Sequence, residues 1–164
     1  MKKTLITLLL IICSVSLFAA FDINVNDMRA RNIKSPYSFP DIPVKINATV
    51  AKAVTVEATP EARSADGETY TMWIKLNGTG TKEQRSVYFE AKKGEVITVT
   101  ASSSAAASDR TLNVVAEDGT VIGTIAALKG DADATAGSVT IPSDGAYYLI
   151  SKSGGINIYR ITLK

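Results

Sequence analysis

The segment Thr69-Tyr-Thr-Met-Trp-Ile-Lys-Leu76 holds the only tryptophan of the chain, and its alternation bears on what that ring can do. In an extended strand successive side chains point to opposite faces. Tyr70, Met72, Ile74 and Leu76 then share one face, which reads as core, while Thr71, Trp73 and Lys75 share the other. An indole on a polar face can stack on the C–H groups of a sugar ring; an indole packed beneath the preceding segment is simply core. Tyr147 and Tyr148 are neighbours, so they face opposite ways and one of them belongs to the core. Tyr159 alternates with Ile158. Basic residues are spread over several strands and turns: Lys75, Lys82, Arg85, Lys92, Lys93, Arg110, Lys152 and Arg160. Arginine can grip the carboxylate of an acidic sugar with two parallel hydrogen bonds, whereas lysine acts as a point charge. The alternative for most of them is a solvated surface. For Arg110, which follows Asp109, the alternative is a local role in anchoring a serine-rich loop. The candidate ligand-binding set is Trp73, Lys75, Arg110, Tyr147, Lys152 and Tyr159.

Other chemistry is harder to build from this composition. The chain has no histidine, and its one cysteine is Cys13. A Ser-His-Asp triad, zinc sites of cysteine and histidine, and a disulfide framework are therefore excluded. Glycoside hydrolysis needs a pair of carboxylates across the bond. Glu57, Glu61, Asp66 and Glu68 cluster only in what reads as a turn region, so no catalytic residue is expected. Asp131-Ala-Asp133 offers two carboxylates, too few for calcium, which takes six to eight oxygens. No metal site and no cofactor are expected.

The elements that must position these residues begin after a leader. Lys2 and Lys3 precede an apolar run, Thr4 to Phe18, and then Ala19-Ala20, the pattern of a secretory signal peptide over 1–20. Ile12 before Cys13 is too large for a lipid-modification site. Without Lys2 and Lys3 the 18 basic residues fall to the same number as the 16 acids, so no basic field for nucleic acid remains. Residues 21–43 carry Pro36, Pro40 and Pro43 and read as an extended lead-in or linker, with one short strand at Phe21–Val25. From 44 to 164 the pattern is strand, turn, strand: runs rich in Val, Ile, Thr and Tyr at 44–46, 53–58, 69–76, 86–91, 96–102, 111–116, 121–127, 138–141, 146–151 and 156–163. Asp66-Gly67, Asn77-Gly78, Lys93-Gly94, Asp118-Gly119, Asp144-Gly145 and Gly154-Gly155 punctuate them. The expected fold is all-β, an antiparallel β-sandwich or jelly roll, with the last strand irregular near Arg160.

A family resemblance adds to this reading. Ser102-Ser-Ser…Ser108-Asp-Arg-Thr-Leu112, Val121-Ile-Gly-Thr-Ile125, Gly145-Ala-Tyr-Tyr-Leu149 and Ser153-Gly-Gly-Ile-Asn-Ile-Tyr159 occur in that order. With these motifs, Thr69–Leu163 resembles the small C-terminal β-sandwich modules of secreted pectate lyases and related polysaccharide-degrading enzymes. The resemblance implies a carbohydrate-binding-module-like fold and a role in engaging plant cell-wall polysaccharide, with pectin as the ligand it suggests. In that family the module rides on a catalytic domain. Here a signal peptide and one module are expected, so any enzyme it serves is expected on a separate chain. The expected protein is exported, periplasmic or extracellular, non-catalytic, and without a membrane span once the leader is cut. The alternative is a structural or protein-interaction protein of the bacterial envelope, with an envelope or secreted protein as partner.

Overall fold

The computed structural model describes residues 20–130 and 133–164. Residues 1–19 of the expected leader, with Cys13, and Asp131 of the candidate acidic loop lie outside the described residues. The described residues form thirteen strands and one 3-10 turn, Val25–Asp27. The strands are β1 (Phe21–Asn24), β2 (Arg31–Ile33), β3 (Tyr37–Ser38), β4 (Val44–Asn47), β5 (Val54–Ala65), β6 (Glu68–Leu76) and β7 (Ser86–Ala91). They continue with β8 (Val96–Ser103), β9 (Arg110–Ala116), β10 (Val121–Ala127), β11 (Thr135–Thr140), β12 (Gly145–Ser151) and β13 (Ile156–Leu163). Among the described residues no helix is long and apolar enough to cross a membrane.

Two antiparallel sheets result. The first runs β11-β8-β13-β6-β5-β2, with β1 also paired to β13, and the second runs β10-β9-β12-β7-β4-β3. Alternation fills the space between them. Ile74, Leu76, Ile97, Val99, Ile156, Ile158, Ile161 and Leu163 come from the first sheet, and Ile46, Val87, Phe89, Leu112 and Leu149 from the second, all fully buried. Burying one such side chain stabilises by about 1.5–3 kcal/mol. This packing carries the fold without a disulfide. At one side the sheets close on each other: a Cβ on Gly123 of β10 would lie 2.6 Å from Val139 Cγ1 of β11, and one on Gly137 2.8 Å from Ile125 Cγ2. Glycine at both positions lets the two edges meet.

The lead-in belongs to the sheets. Phe21 pairs with Leu163, Arg31–Ile33 pair with Val56–Val54, and Tyr37 pairs with Ile46. The prolines fit because they stand between these short edge strands, where no ladder needs their missing N–H. Strand β5 runs on past Pro60 to Ala65, beyond the run the sequence marks. Its pairing with β6 breaks between Ala58 and Arg63, so Pro60 sits in the unpaired interruption. The strand ends in Asp66-Gly67, whose φ of 52° and 78° are those of a tight two-residue hairpin turn.

Two irregularities change which face a side chain reaches. In β13 the register with β8 shifts between Ile158 and Arg160, at the place where the sequence shows an irregularity. In β6 the amides of Thr71 and Met72 both donate to Asn26 Oδ1, at 2.9 and 3.3 Å, instead of continuing the ladder with β13. Tyr70 accordingly leaves the face of Ile74 and Leu76. It joins Trp73, Tyr159 and Ala134 in a second buried cluster, separate from the intersheet core.

Candidate functional site

The register of the first sheet assembles a row of polar side chains on the face turned away from the core. Asn157 of β13 stands between Ser102 of β8 and Lys75 of β6, and Lys75 stands beside Thr55 of β5. Next to this row lies the aromatic cluster. The Trp73 and Tyr159 rings meet edge-on at 6.1 Å, and Tyr70 and Tyr159 are 5.5 Å apart. Serine, asparagine and aromatic residues alternate here with the isoleucines and alanines of the core because the strand period is two.

A hollow of about 220 Å³ opens over this row, lined by Trp73, Arg63, Asn157 and the serines 102 to 104. Its mouth lies beside the exposed Ser104 and Ala106. Asn157 is 4% exposed, and its Oδ1 has no hydrogen-bond partner among the described residues. A buried carbonyl oxygen left unpaired costs about 1–3 kcal/mol, which makes it a strong acceptor for a ligand donor. Ser102 Oγ shares a 2.9 Å hydrogen bond with Tyr159 Oη, fixing the phenol under the floor. Burial, offset in part by Ser102, raises that phenol above its ordinary pKa.

Glu57 organises the next strand. Its Oε1 accepts from Trp73 Nε1 at 3.1 Å and from Lys75 Nζ at 3.3 Å. Burial pushes the Glu57 carboxyl up, but these two donors outweigh it and hold the group below its usual value. The indole plane is thereby locked, and Lys75 Nζ rests 5.7 Å from the ring centre.

A second hollow of about 250 Å³ continues along β8 and β13, lined by Tyr70, Thr98, Thr100, Arg160, Thr162, Asp66 and Lys164. Tyr70 is fully buried, and its Oη, close to Arg160 and Thr100, makes no hydrogen bond of ordinary geometry. Burial raises this phenol, and those two neighbours pull it partly back. Arg160 itself is fully engaged. It forks onto Asp22 at 2.8 and 2.6 Å and reaches Glu68 at 2.5 Å.

Some solved structures are similar to this chain over most of its length. No family model and no curated protein matches the chain. The chain is similar to the CBM22-1 xylan-binding domain of Xyn10C from Paenibacillus barcinonensis, at 9% identity and TM-score 0.46, over 89% of this chain and 94% of that one. It is similar to the C-terminal CBM6 of LamC, a marine laminarinase from Zobellia galactanivorans, at 15% identity and TM-score 0.40, over 89% and 99%. It is also similar to the apo CBM1 of BiXyn10A, at 12% identity and TM-score 0.38, over 88% and 96%. These neighbours are carbohydrate-binding modules. At such TM-scores the likeness assigns neither a ligand nor a site to this chain.

The residues singled out from the sequence fall in different places. Trp73 lines the first hollow, but at 7% exposure it leaves no open ring face for stacking. Its cover is the cluster of Tyr70, Tyr159 and Ala134, not the lead-in. Lys75 is beside it and half-buried, tied to Glu57. Tyr159 is fully buried under the floor, so it positions Ser102 and has no surface for a ligand. Tyr147 lies in the intersheet core, stacked on Phe89 at 5.8 Å with its hydroxyl donating to the Ser143 carbonyl at 2.6 Å; its neighbour Tyr148 takes the outward face. Arg110 donates to the Gly155 carbonyl at 2.8 Å and lies so close over Gly154 that a side chain there would displace the guanidinium, which is an anchoring role. Lys152 is exposed on the turn between β12 and β13, away from the hollow. Arg63 and Asn157 were not among the candidates. The signal for Asn157 was present, as a lone amide between Ile156 and Ile158 facing away from the core. Arg63 had none, because it lies beyond the break at Pro60.

Proposed function

We propose that this domain binds polysaccharide non-covalently at the outer face of its first sheet, with the Trp73–Asn157 hollow as the site. The observation that carries this reading is the buried, unpaired Oδ1 of Asn157 at the floor of a hollow lined by hydroxyls, a guanidinium and an indole. A sugar hydroxyl would supply the donor that this oxygen lacks, once a small turn of the Asn157 side chain brings the oxygen to the surface of the hollow. The Asn157 amide, Ser104 and Arg63 can bond neighbouring hydroxyls, while Trp73 adds an apolar group to the lining. Such groups hold a sugar; they do not cleave it, and the proposal is a non-catalytic module. Pectic polysaccharide is the finer proposal, supported by the resemblance of Thr69–Leu163 to pectate-lyase modules. Export to the periplasm or the exterior, after cleavage of a leader ending near Ala20, belongs to the same proposal.

The test is affinity electrophoresis of the folded protein through gels holding homogalacturonan, xylan, glucomannan or laminarin. Retardation in at least one gel, abolished by free oligosaccharide, is the expected result. Unretarded migration in all of them by a protein with an intact cooperative melt would sink the proposal.

A further inference from the structure

A further hollow, of about 370 Å³, lies at the lead-in. It borders β1, the 3-10 turn and β3. Met28, Tyr37, Phe39 and Ile42 line it and are only half-buried. Tyr37 and Phe39 stand edge-to-face at 5.3 Å, so each shows ring surface in a different direction. The Arg31 guanidinium lies 4.6 Å from the centre of the Tyr37 ring. A guanidinium stacked in this way keeps its N–H edge free for a planar acceptor. Arg31 Nε donates to the Arg29 carbonyl at 3.3 Å, which sets the orientation and leaves both terminal nitrogens uncommitted by that bond.

The charges around the hollow are unequal in their engagement. Asp22 is spent on Arg160. The ion pairs of the described residues involve Lys75, Lys82 and Arg160, so Arg29 and Arg31 carry charge that no described carboxylate within 4.0 Å neutralises. Asp27 is the remaining acid on the rim. As an ionised carboxylate it accepts hydrogen bonds and donates none. A matching ligand therefore carries a carboxylate for Arg31, hydroxyls for Asp27 and an apolar face for Tyr37 or Phe39.

We propose that this hollow is a second sugar site, selective for a carboxylated, uronate-type residue. That the ligand is a sugar rests on the polysaccharide reading above; that it carries an acid rests on Arg29 and Arg31.

Calorimetric titration of trigalacturonate against its methyl ester tests the assignment. The acid is expected to bind at least about tenfold more tightly, the worth of one charge-assisted hydrogen bond. That preference should shrink as salt is added. Arg31→Gln should remove the preference, Tyr37→Ala should weaken acid and ester alike, and Asn157→Ala should leave the preference in place. Both aromatic and guanidinium groups are part-exposed, and far-UV circular dichroism verifies that each variant is folded. Equal binding of acid and ester, no binding of either, or a preference that survives Arg31→Gln and disappears with Arg63→Gln would overturn the site. A neutral oligosaccharide that binds the native chain but not Asn157→Ala, with no acid preference anywhere, would remove this second site and leave the first standing.

Discussion

Asp22 and Glu57 show how single charges do structural work at the rim of both hollows. The hydrogen bonds from Arg160 hold the Asp22 carboxyl below its usual value, and Arg160 simultaneously reaches Glu68 on β6. A depressed carboxylate contributes stability that is fully present above its unfolded pKa and lost as pH falls through the folded one. The window therefore opens at about pH 5, where free aspartate begins to protonate, and extends below its midpoint at about pH 4. Asp22→Asn should lower the melting temperature at pH 7, and its deficit relative to the native chain should close progressively as pH drops through that window. A deficit that stays constant down to the acid end of the titration would mean the pair contributes no linked stability. Both partners are part-exposed, so the effect is expected to be modest and weaker in high salt. None of this pairing was visible in the chain, because Asp22 and Arg160 are 138 residues apart and nothing local marks either one.

At the level of strands, the alternating pattern placed nearly every element between 44 and 163, and the reason is plain. Each run is bounded by residues that supply positive φ or side-chain capping, such as Asp118 accepting from the Thr120 amide at 2.8 Å in the β9–β10 hairpin. The misplacements have separate causes. β2 and β3 are too short to show a period, β5 hides its second half behind Pro60, and Tyr70 changes face because Asn26 captures two amides of β6. Irregular backbone resets the parity on which the reading depends, and the partner that causes it lies far away in sequence. Tyr147 and Tyr148 illustrate the limit more sharply: alternation requires one of them to face inwards but does not say which. The sequence marks Asp109-Arg110 and Gly154-Gly155 as separate motifs, a loop anchor and a turn, and the structure joins them through Arg110. Arg110 lies over the glycine turn, and Asp109 accepts from the Lys129 amide at 2.8 Å. Closure of the sandwich supplies a direct test. Gly123→Val should crowd Val139 and destabilise by about 1–3 kcal/mol in urea unfolding. Adding Val139→Ala should recover part of that loss, and a fully additive double variant would show that the two edges do not touch.

For the whole molecule, two antiparallel sheets without a disulfide each turn a polar outer face away from the core, and hollows open on both. On the other sheet, Tyr148 donates to Glu117 at 2.6 Å, and burial together with that carboxylate pushes its phenol up to about 12. The Tyr88 hydroxyl is likewise held by Glu90, so these phenols are occupied within the protein. Asn113 of β9 also keeps a buried, unpaired oxygen, but of the two only Asn157 joins that feature to the lining of a hollow described above, and this directs the proposed function to the first sheet. The single tryptophan makes this unusually easy to follow. In a nitrogen-15 spectrum, the Trp73 indole and the Asn157 side-chain amide report on the hollow from two sides. Titration with the best-retained oligosaccharide should shift both signals together with the amides of Ser102 to Ser104, with one shared dissociation constant. Shifts confined to the Tyr88–Tyr148 face, with Trp73 and Asn157 unmoved at saturation, would contradict the account.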